Sequence, residues 1–389
     1  RLVVRFEGAP VIDLETAFLH DGRPRRRLAA VLPAPVRSRA TVPCPDPRAA
    51  LLALLAHPNI ASKAPVIRRY DHEILGATVV RPLVGVHHDG PGDGVVLAAP
   101  TDSDGIAIGI GVNPWYGIQD PERMAWAVID EAIRNVVVAG GDPSRVALMD
   151  NFSWGNPTRP TTFGALVAAV RGCCDAAHHY RAPFVSGKDS LNNEYLATDG
   201  NRHAIPPTLV ITAVAAVDDA ALVVTPDLKA AGNLLVLLGR TLAEFGGSHL
   251  TMVLQGPEQP SAVPSPDPGA AWRYRMLHEA IGDGLVAAAH DCSEGGIAVA
   301  LAEMAIGGRL GVEVDLSTVD DDPVTALFSE SVGRIICEVR PEHLAAFKEH
   351  LGAEATLIGH ATAAATMSVA GQFTVPVQEL VTAFTGGHA

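Results

Sequence analysis

Positive charge is scarce in this chain. Among 389 residues Lys+Arg number 29 against 43 Asp+Glu, a net charge of −14, and the only lysines are Lys63, Lys188, Lys229 and Lys348. Such an acidic balance lacks the electrostatic footprint of a general nucleic-acid or anionic-membrane binder, and no partner of either kind is expected. Cysteine is scarce as well. Cys44, Cys173, Cys174, Cys292 and Cys337 are odd in number and show no CxxC spacing, which argues against a disulfide framework or structural zinc and for reduced thiols. Long apolar runs are missing: the stretches 209–217 and 234–238 are strand-sized, far short of the roughly 18–20 residues of a membrane span. There is no signal-peptide pattern at Arg1-Leu2-Val3-Val4-Arg5, no short repeat and no low-complexity tract. The sequence reads as a soluble, cytoplasmic chain, a piece of a longer one. What is present, 48% hydrophobic residues, is ample for two or three domains with real cores.

Composition shifts suggest three segments. Residues 1–45 alternate weakly (Leu2-Val3-Val4, Val11-Ile12-Asp13-Leu14) and end in Pro33-Ala34-Pro35 and Pro43-Cys44-Pro45, as a strand-rich tail and linker would. Residues 46–222 show an α+β pattern: a helix over 47–57, strands near 78–86, 94–99 and 106–112, and a long helix over 120–140. The long helix carries apolar residues at helical spacing (Met124, Val128, Ile129, Ala132, Ile133, Val136) and stops at Gly140-Gly141-Asp142-Pro143. A strand over 145–149, a helix over 163–180 and strands at 184–185 and 208–217 complete the segment. Residues 223–389 form a second α/β unit: a strand over 233–238, a Pro-rich excursion over 256–268, a helix over 272–281, a strand over 285–290 and a helix over 297–306.

Four motifs offer chemistry. Ser186-Gly187-Lys188-Asp189-Ser190 follows a strand and combines backbone access with charge, donor and oxygen ligand, which suits a phosphate; it does not fit the GxxxxGK[ST] loop, and a plain polar turn is the alternative. Asp150-Asn151-Phe152-Ser153-Trp154-Gly155-Asn156-Pro157 also follows a strand, where α/β folds place ligands, although Asn156-Pro157 alone reads as a turn. Glu131 and Asn135, four apart on the long helix, share a face and could hold a hard cation; a solvated stripe beside Arg134 is the alternative. His290-Asp291-Cys292-Ser293-Glu294-Gly295-Gly296 lies between a strand and a helix, a setting for phosphate and cation, with Ser293 as a simple N-cap the alternative. Glu330 and Arg334 read as an ion pair, and Cys292 has no recognisable base to make it a nucleophile.

In order along the chain, these motifs and their neighbours resemble the phosphoribosylformylglycinamidine synthase family, of the aminoimidazole-ribonucleotide-synthetase-like superfamily. The matches are Ala61-Ser62-Lys63 with Tyr70-Asp71-His72, Thr78-Val79-Val80-Arg81-Pro82, Glu131-Ala132-x-x-Asn135, Asp150-Asn151-x-x-Trp154-Gly155-Asn156-Pro157, 186–194, Gly246-Gly247-Ser248, 290–296 and 327–331. The resemblance implies the C-terminal half of the synthetase: the tail of the preceding domain (1–45), a barrel-forming N-terminal domain with the ATP site (46–222) and a C-terminal α/β domain (223–389). It implies a ligase of purine biosynthesis in which ATP activates the amide oxygen of formylglycinamide ribonucleotide, as an iminophosphate, and ammonia then displaces phosphate to give the amidine. By the same resemblance Asp150 and Gly187 belong to the ATP site, Lys188 to a phosphate and Ser190 to the ribonucleotide substrate. Shorter members carry a Mg²⁺-ligating Asn at position 188, a role a protonated lysine cannot fill. Glu131, Asn135 and Asp291 match Mg²⁺ ligands, and Ser293 a contact, of an auxiliary nucleotide found in the longer members. ATP and Mg²⁺ are the implied cofactors. The implied partners are the N-terminal half of the same synthetase and an ammonia-supplying glutaminase domain or subunit. No Glu-Ser-His-type catalytic motif occurs here, so no catalytic residue is assigned. Two alternatives stand beside this: a non-catalytic nucleotide-binding half, and another Mg·ATP kinase or synthetase of the superfamily.

Overall fold

A computed structural model describes residues 1–22, 24, 27–99, 103–254 and 261–386; part of the Pro-rich excursion, 256–260, lies outside the described residues. Two sheets organise the fold. The first has six strands in the order Thr78–Val80, Gly94–Ala98, Gly105–Val112, Thr208–Val217, Val146–Ser153, Phe184–Ser190. All its pairings are antiparallel except the last, where Val146–Ser153 and Phe184–Ser190 run parallel. The second has seven, in the order Val286–Asp291, Ile335–Val339, Leu234–Leu238, Ala355–Thr362, Gly311–Val314, Thr366–Val369, Phe373–Pro376. The mixed α/β architecture matches the expected fold class, and the first sheet is open.

The long helix, Pro121–Val138, joins the two sheets. Asp120 caps it by accepting from the Arg123 N–H at 3.2 Å, and Pro121 takes the first turn, where its missing N–H costs nothing. All six apolar positions named above are buried. The helix lies unusually close to the strand Gly105–Val112, because a Cβ at Gly111 would collide with the Val128 carbonyl oxygen. The helix Pro160–Tyr180 packs beside it, covering the same face of the sheet.

That packing leaves the sheet two-faced. Val96, Ala107, Leu148, Leu209, Ile211 and Ala213 are fully buried under the helices. Their alternates on the other face are not covered: Ile106, Ile110 and Val112 are 43%, 50% and 36% exposed.

Other differences from expectation have local causes. The strand over 78–86 breaks into Thr78–Val80 and Leu83–Val84, because Pro82 cannot donate to a ladder. The tail forms a hairpin, Leu2–Phe6 with Ala9–Leu14, and then a short helix, Thr16–Asp21, that no pattern announced. The helix Gly296–Gly308 is apolar on every side and buried except at Glu303, its one charged residue. No described helix is long and apolar enough to cross a membrane.

Candidate functional site

Sequence-distant polar groups meet in a cavity of about 230 Å³ between the two sheets. The long helix contributes Glu131 and Asn135, and the turn before Gly94–Ala98 contributes Asp93. His290 and Asp291 end the strand Val286–Asp291, Ser293 and Glu294 follow in the turn, and Glu303 comes from the buried helix. Glu131, Asn135, Asp291 and Ser293, singled out from the sequence, therefore line one cavity.

Its electrostatics are acidic and incompletely satisfied. His290 sits between two carboxylates, with Nδ1 2.7 Å from Asp93 Oδ1 and Nε2 3.0 Å from Glu303 Oε2. Burial would lower its pKa, but Asp93 and Glu303 outweigh burial and hold the imidazolium well above its ordinary range. Glu131 accepts from the Val112 N–H at 3.0 Å, and burial followed by Glu294 and Asp291 raises its carboxyl well above normal. Asn135 donates to the Ile110 carbonyl at 2.9 Å, which fixes the amide; its Oδ1 is buried and has no partner among the described residues. An orphaned acceptor beside carboxylates is the environment of a hard cation, for which oxygen ligands are preferred. Ligand atoms of Asp93, His290 and Asp291 lie within 4.8 Å of one another. The oxygens of this donor set therefore fit a divalent ion such as Mg²⁺.

Several expectations give way here. Arg134 does not stand in a solvated stripe: it is buried, pairs with Asp130, and donates to Asp291 at 3.3 Å and to Ser293 at 2.9 Å. Ser293 caps no helix, since its hydroxyl donates to Asp291 and the N-cap position is Gly295. Glu330 does not pair with Arg334. It accepts from Tyr116, His249 and Gly295, while Arg334 donates to the carbonyls of Ser329 and Ser331 and to Thr241. Cys292 is inert, because burial pushes its thiol up to about 11. Asp93 and Glu303 escaped notice; Asp93 lay in the turn Gly90-Pro91-Gly92-Asp93-Gly94, and nothing local says that it faces residue 290.

Glu294 titrates in a useful range. Burial, then the neighbouring Glu330 and Asp291, raise its carboxyl from 4.5 to about 7 against the pull of His249. A raised folded-state value means the stabilisation is complete below the unfolded 4.5 and is lost as pH rises through about 7. Glu294→Gln should flatten that loss. Thermal midpoints measured from about pH 5 to about pH 8 should fall less for the variant than for wild type, and parallel curves would contradict the assignment.

The second group of motif residues lies at the edge of the first sheet. Both motifs continue their strands instead of leaving them: Asp150 pairs alongside Gly187, Asn151 beside Lys188 and Ser153 beside Ser190. Alternation then splits the set, with Asp150 and Gly187 on the helix-packed face and Lys188 and Ser190 on the uncovered face. Since Phe184–Ser190 is an edge strand, a ligand can reach both faces around it. Gly187 is required by closeness: a Cβ there would overlap the Asp150 carboxylate. Burial and the nearby Asp189 raise the Asp150 carboxyl. Lys188 is exposed and donates to the Ser190 hydroxyl. The Asn156-Pro157 turn is pinned where Glu194 accepts from the Asn156 N–H at 3.0 Å and pairs with Arg159 at 2.8 Å.

Comparison with known proteins adds identity to this geometry. Residues 91–217 match the AIR synthase related protein, N-terminal domain, and residues 230–372 the AIR synthase related protein, C-terminal domain. A phosphoribosylformylglycinamidine synthase subunit PurL of Deinococcus radiodurans is 36% identical over 383 residues, covering 95% of this chain and 50% of the relative. The subunit of the same name from Methanocaldococcus jannaschii is 34% identical over 355 residues, 88% of this chain and 46% of the relative. The chain thus spans about half the length of the curated relatives it matches. Among solved structures, T. maritima PurL complexed with FGAR superposes with a TM-score of 0.65 at 19% identity, over 86% of this chain and 53% of that one. Hydrogenase maturation protein HypE in complex with ATP gives 0.52 at 16% identity, over 72% and 85%. At these identities the likeness is one of fold.

Proposed function

The chain belongs to the AIR synthase related family, and from that premise we propose that it supplies the second half of a ligase that makes formylglycinamidine ribonucleotide from formylglycinamide ribonucleotide, ATP and ammonia. The observation that carries the proposal is the uncovered sheet face. Ile106, Ile110 and Val112 form an apolar surface of the kind that marks a protein interface, and Lys188 and Ser190 stand on the same face at its edge. A matching half-barrel from the preceding half of the synthetase covers that face and encloses the substrate between the two. The further partner is a glutaminase domain or subunit that delivers ammonia, and the setting is cytoplasmic.

Each residue then has a role. Lys188 and Ser190 hold a phosphate on the face that the preceding half covers, the lysine as a point charge and the hydroxyl as donor. Asp150, which the missing side chain of Gly187 leaves room for, orients the nucleotide at the sheet edge. Bound ATP supplies the phosphoryl group that activates the amide oxygen, and Mg²⁺ neutralises the triphosphate charge. Glu131, Asn135, Asp291 and Asp93 offer oxygens to the Mg²⁺ of a second, resident nucleotide, with Ser293 toward its phosphate; the orphaned Asn135 Oδ1 supports this part.

Two substitutions separate these roles in the enzyme assembled with its preceding half. Lys188→Ala removes one charge-assisted contact and should raise the KM of the phosphate-bearing ligand by about 10–100-fold, from the ~1.5–3 kcal/mol such a bond contributes. Asp150→Asn should abolish most ATP-dependent turnover while the thermal midpoint stays at the wild-type value. Wild-type steady-state kinetics in either variant would remove that residue from the site.

A further inference from the structure

A second cavity, of about 500 Å³, opens on the opposite side of the long helix from the acidic pocket. Its walls are aromatic and cationic: His179, Tyr180, Trp272 and Tyr274, with Arg181 and Arg275. Neither guanidinium has an ion-pair or side-chain hydrogen-bond partner among the described residues, and both residues are exposed at the cavity mouth. For Arg275 the i+4 neighbour Glu279 would be the natural partner, yet that carboxylate turns to His350 at 3.9 Å. Arg181 is unusual in its backbone too. It ends the helix Pro160–Tyr180 in the left-handed conformation, φ 55°, where glycine is the ordinary residue. Arg309 ends the helix Gly296–Gly308 in the same conformation, but its guanidinium is paired with Asp89, whereas that of Arg181 is not paired among the described residues.

The remaining wall is aromatic. Trp272 is 40% exposed, and His179 packs edge-on against Tyr180 at 4.8 Å. The His179 Nε2 is buried without a partner among the described residues. The floor is rigid, since Tyr180 and Tyr274 stack at 6.1 Å and both donate to Asp130, at 2.6 and 2.7 Å. Two free guanidiniums suit a tetrahedral or planar oxyanion, but a bare anion would leave most of the cavity unfilled. An uncharged aromatic would leave both arginines unused.

We propose that this cavity is a second ligand site, taking an aromatic ring that bears a phosphate, with Arg181 and Arg275 on the phosphate and Trp272 and His179 on the ring. The inference does not depend on the synthetase reading.

The test is equilibrium binding of AMP, adenosine and inorganic phosphate to the whole chain in EDTA, which keeps divalent ions out of the acidic pocket. The variant is Arg181→Gly with Arg275→Ser. Glycine relieves the left-handed backbone, so Arg181→Gly alone should have a thermal midpoint at or above wild type. The expected result is AMP binding that the double variant weakens at least tenfold, with adenosine and phosphate each weaker than AMP. AMP should also quench tryptophan emission in wild type and lose that effect in Trp272→Phe. Equal AMP affinity in wild type and the double variant, phosphate binding as tight as AMP, or a folded wild-type chain that binds no AMP would each overturn the proposal.

Discussion

Arg134→Met should cost the fold about 3–5 kcal/mol, the range for removing one member of a buried ion pair. The reason lies in what is left behind. Asp130 is buried and accepts from Tyr180 at 2.6 Å, Tyr274 at 2.7 Å and the Gly333 N–H at 3.0 Å, but among the described residues Arg134 is its only cationic partner. Without the guanidinium an uncompensated carboxylate remains in the core. The same arginine donates to Asp291 and Ser293, so its loss also frees two groups that line the acidic cavity. Adding Asp130→Asn should recover part of the stability by neutralising the stranded charge. Thermal or urea unfolding of the single and double variants checks this, and a double variant no more stable than Arg134→Met would contradict it.

Glu330→Ala should be comparably severe, about 3–5 kcal/mol, because one fully buried carboxylate serves four donors. The His249 N–H and Gly295 N–H each donate to Oε1 at 2.8 Å, His249 Nδ1 lies at 3.2 Å, and the Tyr116 hydroxyl donates to Oε2 at 2.7 Å. These donors come from both sides of the molecule, so the residue ties the first sheet's surroundings to the second. The pair also sets a pH signature. Burial would raise Glu330, but His249 holds its carboxyl below the ordinary 4.5; that stabilisation is present above 4.5 and lost as pH falls through the lowered value. Burial would lower His249, but Glu330 holds it above 6.5; its share is complete below 6.5 and lost as pH rises through the raised value. Wild type minus Glu330→Gln stability should therefore peak between 4.5 and 6.5. A difference that stays constant from well below 4.5 to well above 6.5 would refute the pairing.

The long helix was legible because a single apolar face repeats at helical spacing, and its caps are local: Asp120-Pro121 at one end and Gly140 at the other. The polar stretches were not. Positions 150–153 and 186–190 carry no hydrophobic alternation, so they read as loops, yet parallel pairing carries both strands through them. Hydrogen bonds to a neighbouring strand leave no mark on a polar edge sequence. Local spacing did bring Glu131, Asn135, Asp291 and Ser293 to notice, since each pair lies within one turn or one motif. Asp93 and the true partner of Glu330 were invisible for a different reason: Asp93 meets His290 from 197 positions away, and Glu330 meets His249 from 81. The expected Glu330–Arg334 pair failed because closeness in sequence says nothing about which side of a turn each side chain takes.

The measurement that bears most directly on the half-synthetase reading is ADP release. The assay contains Mg·ATP, ammonium and formylglycinamide ribonucleotide, and compares this chain alone, the preceding half of the synthetase alone, and the two mixed. Substrate-dependent turnover in the mixture, and in neither component by itself, is the predicted result. Turnover by this chain alone, or a mixture of two folded halves that stays inactive, would contradict it.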